Sequence, residues 1–239
     1  MKLDVLVCAA HPDDAELSCG GTILKLTAKG KKVGILDLTR GELGTRGTPE
    51  IRAREATAAA EILGISDRRN AGLPDGFFQN SEVEQKTLIP FFRYFRPEVI
   101  LCNAPSDRHP DHGRAAVLVK EAAFLSGLRM IATTWEGQPQ QAWRPKKVFH
   151  YIQDQYHHPS FVVDITSFYE KKVEAVKAFS SQFHNPASQE PETYISSPTF
   201  LRYIEARAIA MGHHIQATYG EGFIAHTPLA VHSPLSLVS

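Results

Sequence analysis

Two short segments of histidine and aspartate, each placed directly after an apolar run, constrain this chain more than anything else in it. LDVLVCAA (3–10) is continuous in apolar and β-type residues, as expected for a strand buried on both faces. It runs straight into His11-Pro12-Asp13-Asp14-Ala15-Glu16. PEVILCN (97–103) is a second such run, and His109-Pro110-Asp111-His112 follows it. Each segment opens a predicted helix. In an open parallel sheet, ligands bind outside the carboxyl ends of the strands, where strand order reverses. Two loops about 100 residues apart can therefore meet in one crevice.

The rest of the first half supports such a sheet. Helical spacing covers 21–30, with Gly30 as a stop, and KVGILDLT (32–39) reads as a second strand. A loop rich in glycine and charge spans 40–50. Pro49 then opens an Ala/Glu/Arg-rich helix over 51–64. A short strand is expected at 68–73, a helix at 81–95 interrupted near Pro90, and a helix over 109–127. Alternating strand–helix units of this length predict an α/β fold: a Rossmann-like, mostly parallel sheet flanked by helices. The second half is less regular. Strands are expected at 146–152 and 160–165, and helices at 166–179, capped by Thr166, and at 197–215. No repeat or linker divides the chain. It reads as one domain over 1–239, with a core at 1–130 and a C-terminal elaboration at 131–239 that completes the pocket.

Imidazoles and carboxylates are the ligand set of a divalent transition metal. His11 and Asp14 lie three apart at a strand–helix corner. His109 and His112 lie three apart on a first helical turn, on one face. A catalytic zinc takes three protein ligands and keeps one position open, so four or more candidates compete for three places. His11, Asp14 and His112 are assigned as ligands. That leaves Asp13 as a general base and His109 as a general acid or oxyanion stabiliser. Asp111 could orient one of the histidines. Glu16 reads as a structural carboxylate.

Other functions fit less well. A dinucleotide site needs its glycine fingerprint in the first strand–helix turn, but that turn is AAHPDDAE, and its carboxylates would repel a pyrophosphate. No G-x-S-x-G elbow supports a serine hydrolase. Lys and Arg number 26, as do Asp and Glu, so no basic excess exists to hold a nucleic acid. No apolar run approaches the roughly 18 residues of a membrane span. Three cysteines without metal spacing suggest a reducing, cytoplasmic setting. Two histidines and a carboxylate are also the triad of non-haem iron oxygenases, yet Asp13 has no task there.

The combination of A-H-P-D-D-A-E after a strand and H-P-D-H about 100 residues later resembles the LmbE/PIG-L family of metal-dependent N-deacetylases. Further blocks resemble its bacillithiol-biosynthesis subgroup: 37–56, LPDGFF (73–78), KAFSSQF (177–183) and YGEGF (219–223). The resemblance implies a hydrolase that removes acetyl from an N-acetylglucosamine unit joined to a small aglycone, with N-acetylglucosaminyl malate as the subgroup's substrate. An amidase acting on a thiol conjugate or another N-acetylglucosaminyl glycoside is the alternative. The resemblance puts Zn2+ on His11, Asp14 and His112, with Fe2+ also suited to these ligands. It makes Asp13 the base and His109 the oxyanion stabiliser, and it places Arg52 and Arg108 near the substrate. The expected partner is a small-molecule glycoside, with a homo-oligomer as a further expectation. In the loop, Glu42 or Arg46 is expected over the substrate. Arg52 could instead pair with Glu50 or Glu55, and Arg54 and Glu55 read as a solvated helix face. His184 is a further candidate near the pocket.

Overall fold

The computed structural model describes residues 1–233 and Leu235. In the first half β1 (Val5–Ala9), α1 (Asp14–Ala28), β2 (Val33–Asp37), α2 (Pro49–Leu63), β3 (Asp67–Asn70), α3 (Glu82–Phe95), β4 (Val99–Cys102) and α4 (Pro110–Leu125) alternate. A small hairpin of β5 (Thr134–Trp135) and β6 (Gln138–Pro139) leads to β7 (Lys147–Tyr151) and β8 (Phe161–Asp164). The helices α5 (Tyr169–Lys177) and α6 (Phe200–His213) precede β9 (Gly220–Ala225).

Seven strands form one sheet in the order β3-β2-β1-β4-β7-β9-β8. The strands from β3 to β7 pair in parallel, and β9 runs antiparallel to both β7 and β8. Strand order reverses at β1, with β2 on one side and β4 on the other. The continuous apolar runs follow from burial on both faces. Leu6, Cys8, Leu36, Ile100 and Cys102 pack against Phe92 of α3 and Leu118, Val119 and Ala122 of α4. Their alternate neighbours Val5, Val7, Ala9, Val33, Ile35 and Leu101 pack against Ala15, Cys19 and Ile23 of α1 and Ala175 of α5. No helix among the described residues is long and apolar enough to cross a membrane.

The structure departs from the expected elements in instructive places. The first helix opens in the His11–Glu16 segment, as its place after β1 predicts, and its buried first turn from Asp14 carries site residues ahead of the helical spacing over 21–30. The chain leaves helical geometry at Cys19 (φ −139°) and resumes. Pro90 lies inside α3 without ending it. Thr166 does not cap α5. It opens a short 3-10 turn, and its hydroxyl accepts the Tyr219 amide at 3.2 Å. The unexpected strand β9 carries two glycines that the sheet needs. A Cβ on Gly222 would lie 2.7 Å from Met211 Sδ, and one on Gly220 would meet Val162 at the same distance.

His150 on β7 is fully buried beside the end of β4. Its Nδ1 donates to the Asn103 carbonyl at 2.6 Å, and its Nε2 lies 2.7 Å from His226 Nε2. Burial pushes its pKa down to about 4, against the opposing Asn103 bond. The unfolded chain, near 6.5, therefore binds a proton that the folded one refuses. Stability contributed by neutral His150 is complete above about pH 6.5 and falls as pH drops toward 4. The full term is on the order of 3 kcal/mol. Denaturant melts at pH 7 and pH 5 should show a steeper loss for wild type than for His150→Gln, which keeps a donor without titrating. Equal losses would show that His150 is not a source of acid sensitivity.

Candidate active site

Both acidic-histidine segments sit at the carboxyl ends of β1 and β4, where the sheet order reverses. Asn103, just past β4, ties the two ends together. Its Oδ1 accepts the Ala10 amide at 3.0 Å, and its Nδ2 donates to Asp14 Oδ2 at 3.2 Å. Asp14 is 2 % exposed. Its Oδ2 also accepts the His11 amide at 3.0 Å, and its Oδ1 accepts Gln153 Nε2 at 2.7 Å. One carboxylate oxygen lies 3.5 Å from His11 Nδ1 and the other 3.2 Å from His112 Nε2. Burial opposes its charge, but His112 and His11 hold its pKa well below the ordinary carboxylate range.

Each of these histidines has a carboxylate on its other nitrogen. His112 Nδ1 lies 2.7 Å from Asp107 Oδ2, which leaves Nε2 free on the Asp14 side. Asp107 is fixed in turn by the amides of Arg108, Asp154 and Gln155. His11 Nε2 lies 3.0 Å from Asp75 Oδ1 and 3.3 Å from Asp111 Oδ2. Burial lowers the pKa of both rings, and the carboxylates outweigh it, raising His112 to about 9 and His11 well above its usual value. Asp111 thus serves His11, while Asp107, outside both motifs, serves His112.

His109 caps α4, and its Nδ1 accepts the Asp111 amide at 3.3 Å. An accepting Nδ1 puts the ring's proton on Nε2. Burial and the charges of His11 and His112 lower its pKa, favouring the neutral ring. Its centroid lies 4.6 Å from that of His11.

Asp13 is held in a backbone conformation that L residues rarely adopt, with φ 126°. Its buried carboxylate lies 3.2 Å from Arg52 Nη2, which also donates to the Pro12 carbonyl. Burial raises the Asp13 pKa, Arg52 opposes and Asp14 adds to the rise, and the balance stands at about 7. Arg52 therefore pairs with Asp13. Glu50 bonds Thr48, and Glu55 is no solvated residue: it is buried and accepts from Ser180 and Ser181.

A cavity of about 440 Å³ opens over these groups, a size suited to a small ligand. His11, Asp13, Asp14, His109 and His112 line its floor, and Arg46, Arg52, Arg108 and Tyr194 are among its walls. Arg46 is 5 % exposed, with Nη2 on Ser188 Oγ at 2.7 Å. Arg108 pairs with Asp154 at 3.0 Å and lies over the Tyr194 ring. Tyr194, Asp75 and Gln153 belong to neither motif; among them only Asp75, in LPDGFF, lies within a segment that the sequence had singled out. Glu42 faces the Asp75 amide at 2.9 Å, outside the cavity lining, and His184 is exposed and also absent from it. Glu16 is a buried partner of Arg68 at 2.6 Å.

The donor chemistry fits a divalent transition metal. Nitrogens of His11, His109 and His112 lie within 4.8 Å of one another, and Asp14 bridges two of these rings. His11, Asp75 and Asp111 make a second compact group.

Residues 6–123 match the family described as "PIG-L: GlcNAc-PI de-N-acetylase". The chain is 31% identical over 208 residues to the diacetylchitobiose deacetylase of Thermococcus kodakarensis, covering 80% of this chain and 74% of that protein. It is 27% identical over 209 residues to a probable N-acetyl-alpha-D-glucosaminyl L-malate deacetylase 2 of Bacillus anthracis, covering 80% of this chain and 86% of that one. The crystal structure of the conserved protein TT1542 from Thermus thermophilus superimposes with a TM-score of 0.85 at 37% identity, covering 97% and 98% of the two chains.

Gly41 (φ +67°) makes room for Arg52: a Cβ there would lie 2.7 Å from Arg52 Cζ and closer still to Nη1. Gly41→Ala should push the guanidinium off Asp13 and strain the turn, costing about 1–3 kcal/mol. Denaturant melts would report the loss. An unchanged midpoint would mean that the segment yields and that Arg52 is not confined by it.

Proposed function

The chain belongs to the PIG-L family of de-N-acetylases, and from that premise we propose that it hydrolyses the acetamide of an N-acetylglucosamine derivative, with N-acetylglucosaminyl malate as the preferred substrate. One observation carries the reading: Asp13 is a buried carboxylate, surplus to holding an ion, kept beside the ligand cluster in a strained conformation by Arg52. A cation-binding module has no need of it, whereas amide hydrolysis needs a base there.

His11, Asp14 and His112 would hold the metal, Zn2+ in this proposal, with Fe2+ also compatible with the donor set. When bound, a divalent metal supplies Lewis acidity that polarises the acetyl carbonyl and acidifies water. The chain's own groups do the rest. Asp13, held by Arg52 beside the ligand cluster, takes a proton from the attacking water. Neutral His109, with its proton on Nε2, donates to the oxygen on which negative charge develops. Asp13, having gained a proton, can return it to the departing amine. Arg46 and Arg108 on the walls suit an aglycone bearing carboxylates, because guanidinium forks bind them bidentately. The reading places the enzyme in the cytoplasm, acting on a small-molecule glycoside without nucleic acid or membrane.

Asp13→Asn should keep its metal and lose 10²–10⁴-fold in turnover, on the order expected for general-base loss. A metal-free variant would make Asp13 a ligand and overturn this assignment. His109→Ala should lower kcat about 10²–10³-fold with little change in KM, as an oxyanion donor does. A raised KM at unchanged kcat would make His109 a ground-state contact. Comparing kcat/KM on N-acetylglucosaminyl malate and free N-acetylglucosamine tests the substrate: equal values would remove the malate.

A further inference from the structure

The segment that walls the cavity and the ligand cluster on its floor meet at one side chain. Asp75 is 6 % exposed, and its two oxygens face different elements. Oδ1 lies 3.0 Å from His11 Nε2, and Oδ2 accepts the Leu43 amide at 2.9 Å. The Asp75 amide donates to Glu42 Oε1 at 2.9 Å, so the contact with the segment runs both ways. The next amide, that of Gly76, donates to Asp111 Oδ2 at 2.8 Å, and Arg114 Nη1 grips both the Gly76 carbonyl and Asp111 Oδ1. The turn carrying Asp75 is therefore fastened to α4 through Arg114 and through Asp111, whose Oδ2 also lies 3.3 Å from His11 Nε2. It is a rigid support, while residues 40–46 have no helix or strand of their own.

We propose that Asp75 is a positioning residue: with Asp111, which faces the same nitrogen, it holds the proton of His11 on Nε2 for metal binding, and it alone couples metal occupancy to the order of segment 40–46. The proposal rests on the reading of His11 as a ligand. The carboxylates of Asp75 and Asp111 on Nε2 keep a proton on that nitrogen, so the proton that a metal displaces is the one on Nδ1, on the Asp14 side. A metal on Nδ1 makes the Nε2 proton more positive, which strengthens its attraction to Asp75 Oδ1 at 3.0 Å. Asp75 is then held more firmly where its other oxygen accepts the Leu43 amide. Linkage makes the effect reciprocal: whatever orders the segment against Asp75 favours the metal-ready tautomer. Leu43, Gly44, Thr45 and Arg46 all line the cavity, so the coupling would present a formed wall only when the ion is in place.

The test uses the full chain stripped of metal and titrated with Zn2+ against a chelating dye. Asp75→Asn is close in size, but its amide can set a donor against the Nε2 proton. It should weaken Zn2+ binding about 10–100-fold, the usual cost of losing such an orienting partner. His11→Ala should abolish binding. Amide hydrogen exchange reads the second half: in wild type, Zn2+ should slow exchange at Leu43 at least about tenfold, and in Asp75→Asn it should not. Nitrogen NMR of the Zn2+-bound protein should find His11 protonated at Nε2. Unchanged Zn2+ affinity in Asp75→Asn overturns the proposal. So does a wild-type Leu43 amide indifferent to Zn2+, a measurement that stands even if the variant does not fold. A loss as complete as that of His11→Ala would make Asp75 a ligand, which also overturns it. Undiminished Zn2+ binding by His11→Ala would instead refute the ligand reading beneath it.

Discussion

Asp14 is the carboxylate on which the site turns. It opens α1, yet its oxygens are claimed by the His11 amide, by Asn103 beyond β4 and by Gln153 beyond β7. Three strand ends that are distant in sequence are thus referred to one buried anion. A buried carboxylate costs several kcal/mol unless it is fully bonded, so each partner has to be present for the arrangement to hold. The same charge faces His11 and His112 from either side. The sheet supplies the coarse geometry, and Asp14 sets the finer one.

Asp13, one residue earlier, shows the cost of that geometry. With His11 ending the strand turn and Asp14 committed to the cluster, the intervening backbone reaches its place only at φ 126°. Backbone in such a region costs on the order of 1–3 kcal/mol and persists where surrounding structure over-determines it. Arg52 provides that determination through the Pro12 carbonyl and the Asp13 carboxylate, and Gly41 leaves space for the guanidinium. An arginine expected at the substrate thus holds the Asp13 carboxylate. Its charge opposes the rise that burial causes and keeps Asp13 able to ionise near neutrality.

The central strands and both histidine motifs were legible because their signal is local. An apolar run followed at once by clustered histidine and aspartate needs no knowledge of the rest of the chain. Asp107 and Gln153 were not legible: an aspartate or a glutamine in a loop has the same appearance whether it faces solvent or a histidine across the sheet. Asp75 sat inside a recognised block, but nothing in LPDGFF states that its carboxylate reaches His11. Glu55 was misread for a related reason. Beside Arg52 and Arg54 it has the pattern of an exposed helix face, and only the packing of α5 and the loop after it onto α2 brings Ser180 and Ser181 to it. Strand β9 escaped because its glycines depress strand propensity, while the close approach of α6 and β8 requires them.

The break in α1 shows how the second half of the chain bears on the first. Where helical geometry lapses at Cys19, the amides that follow lose their partners. Glu221 of β9 takes the amides of Gly21 and Thr22 at 2.9 and 2.7 Å, as an acidic group at a helix N-terminus would. Lys172 of α5 balances that charge at 2.6 Å, with both side chains almost fully buried. Gly21 itself has no room for a Cβ, because Ile165 closes over it. The break lets the first turn of α1 point Asp14 toward the cluster while the rest of the helix follows the sheet. It can exist only if β9 and α5 come back to cap it. The irregular C-terminal portion therefore does more than wall the cavity: through Glu221 and Lys172 it stabilises the helix geometry from which the first acidic-histidine motif is presented.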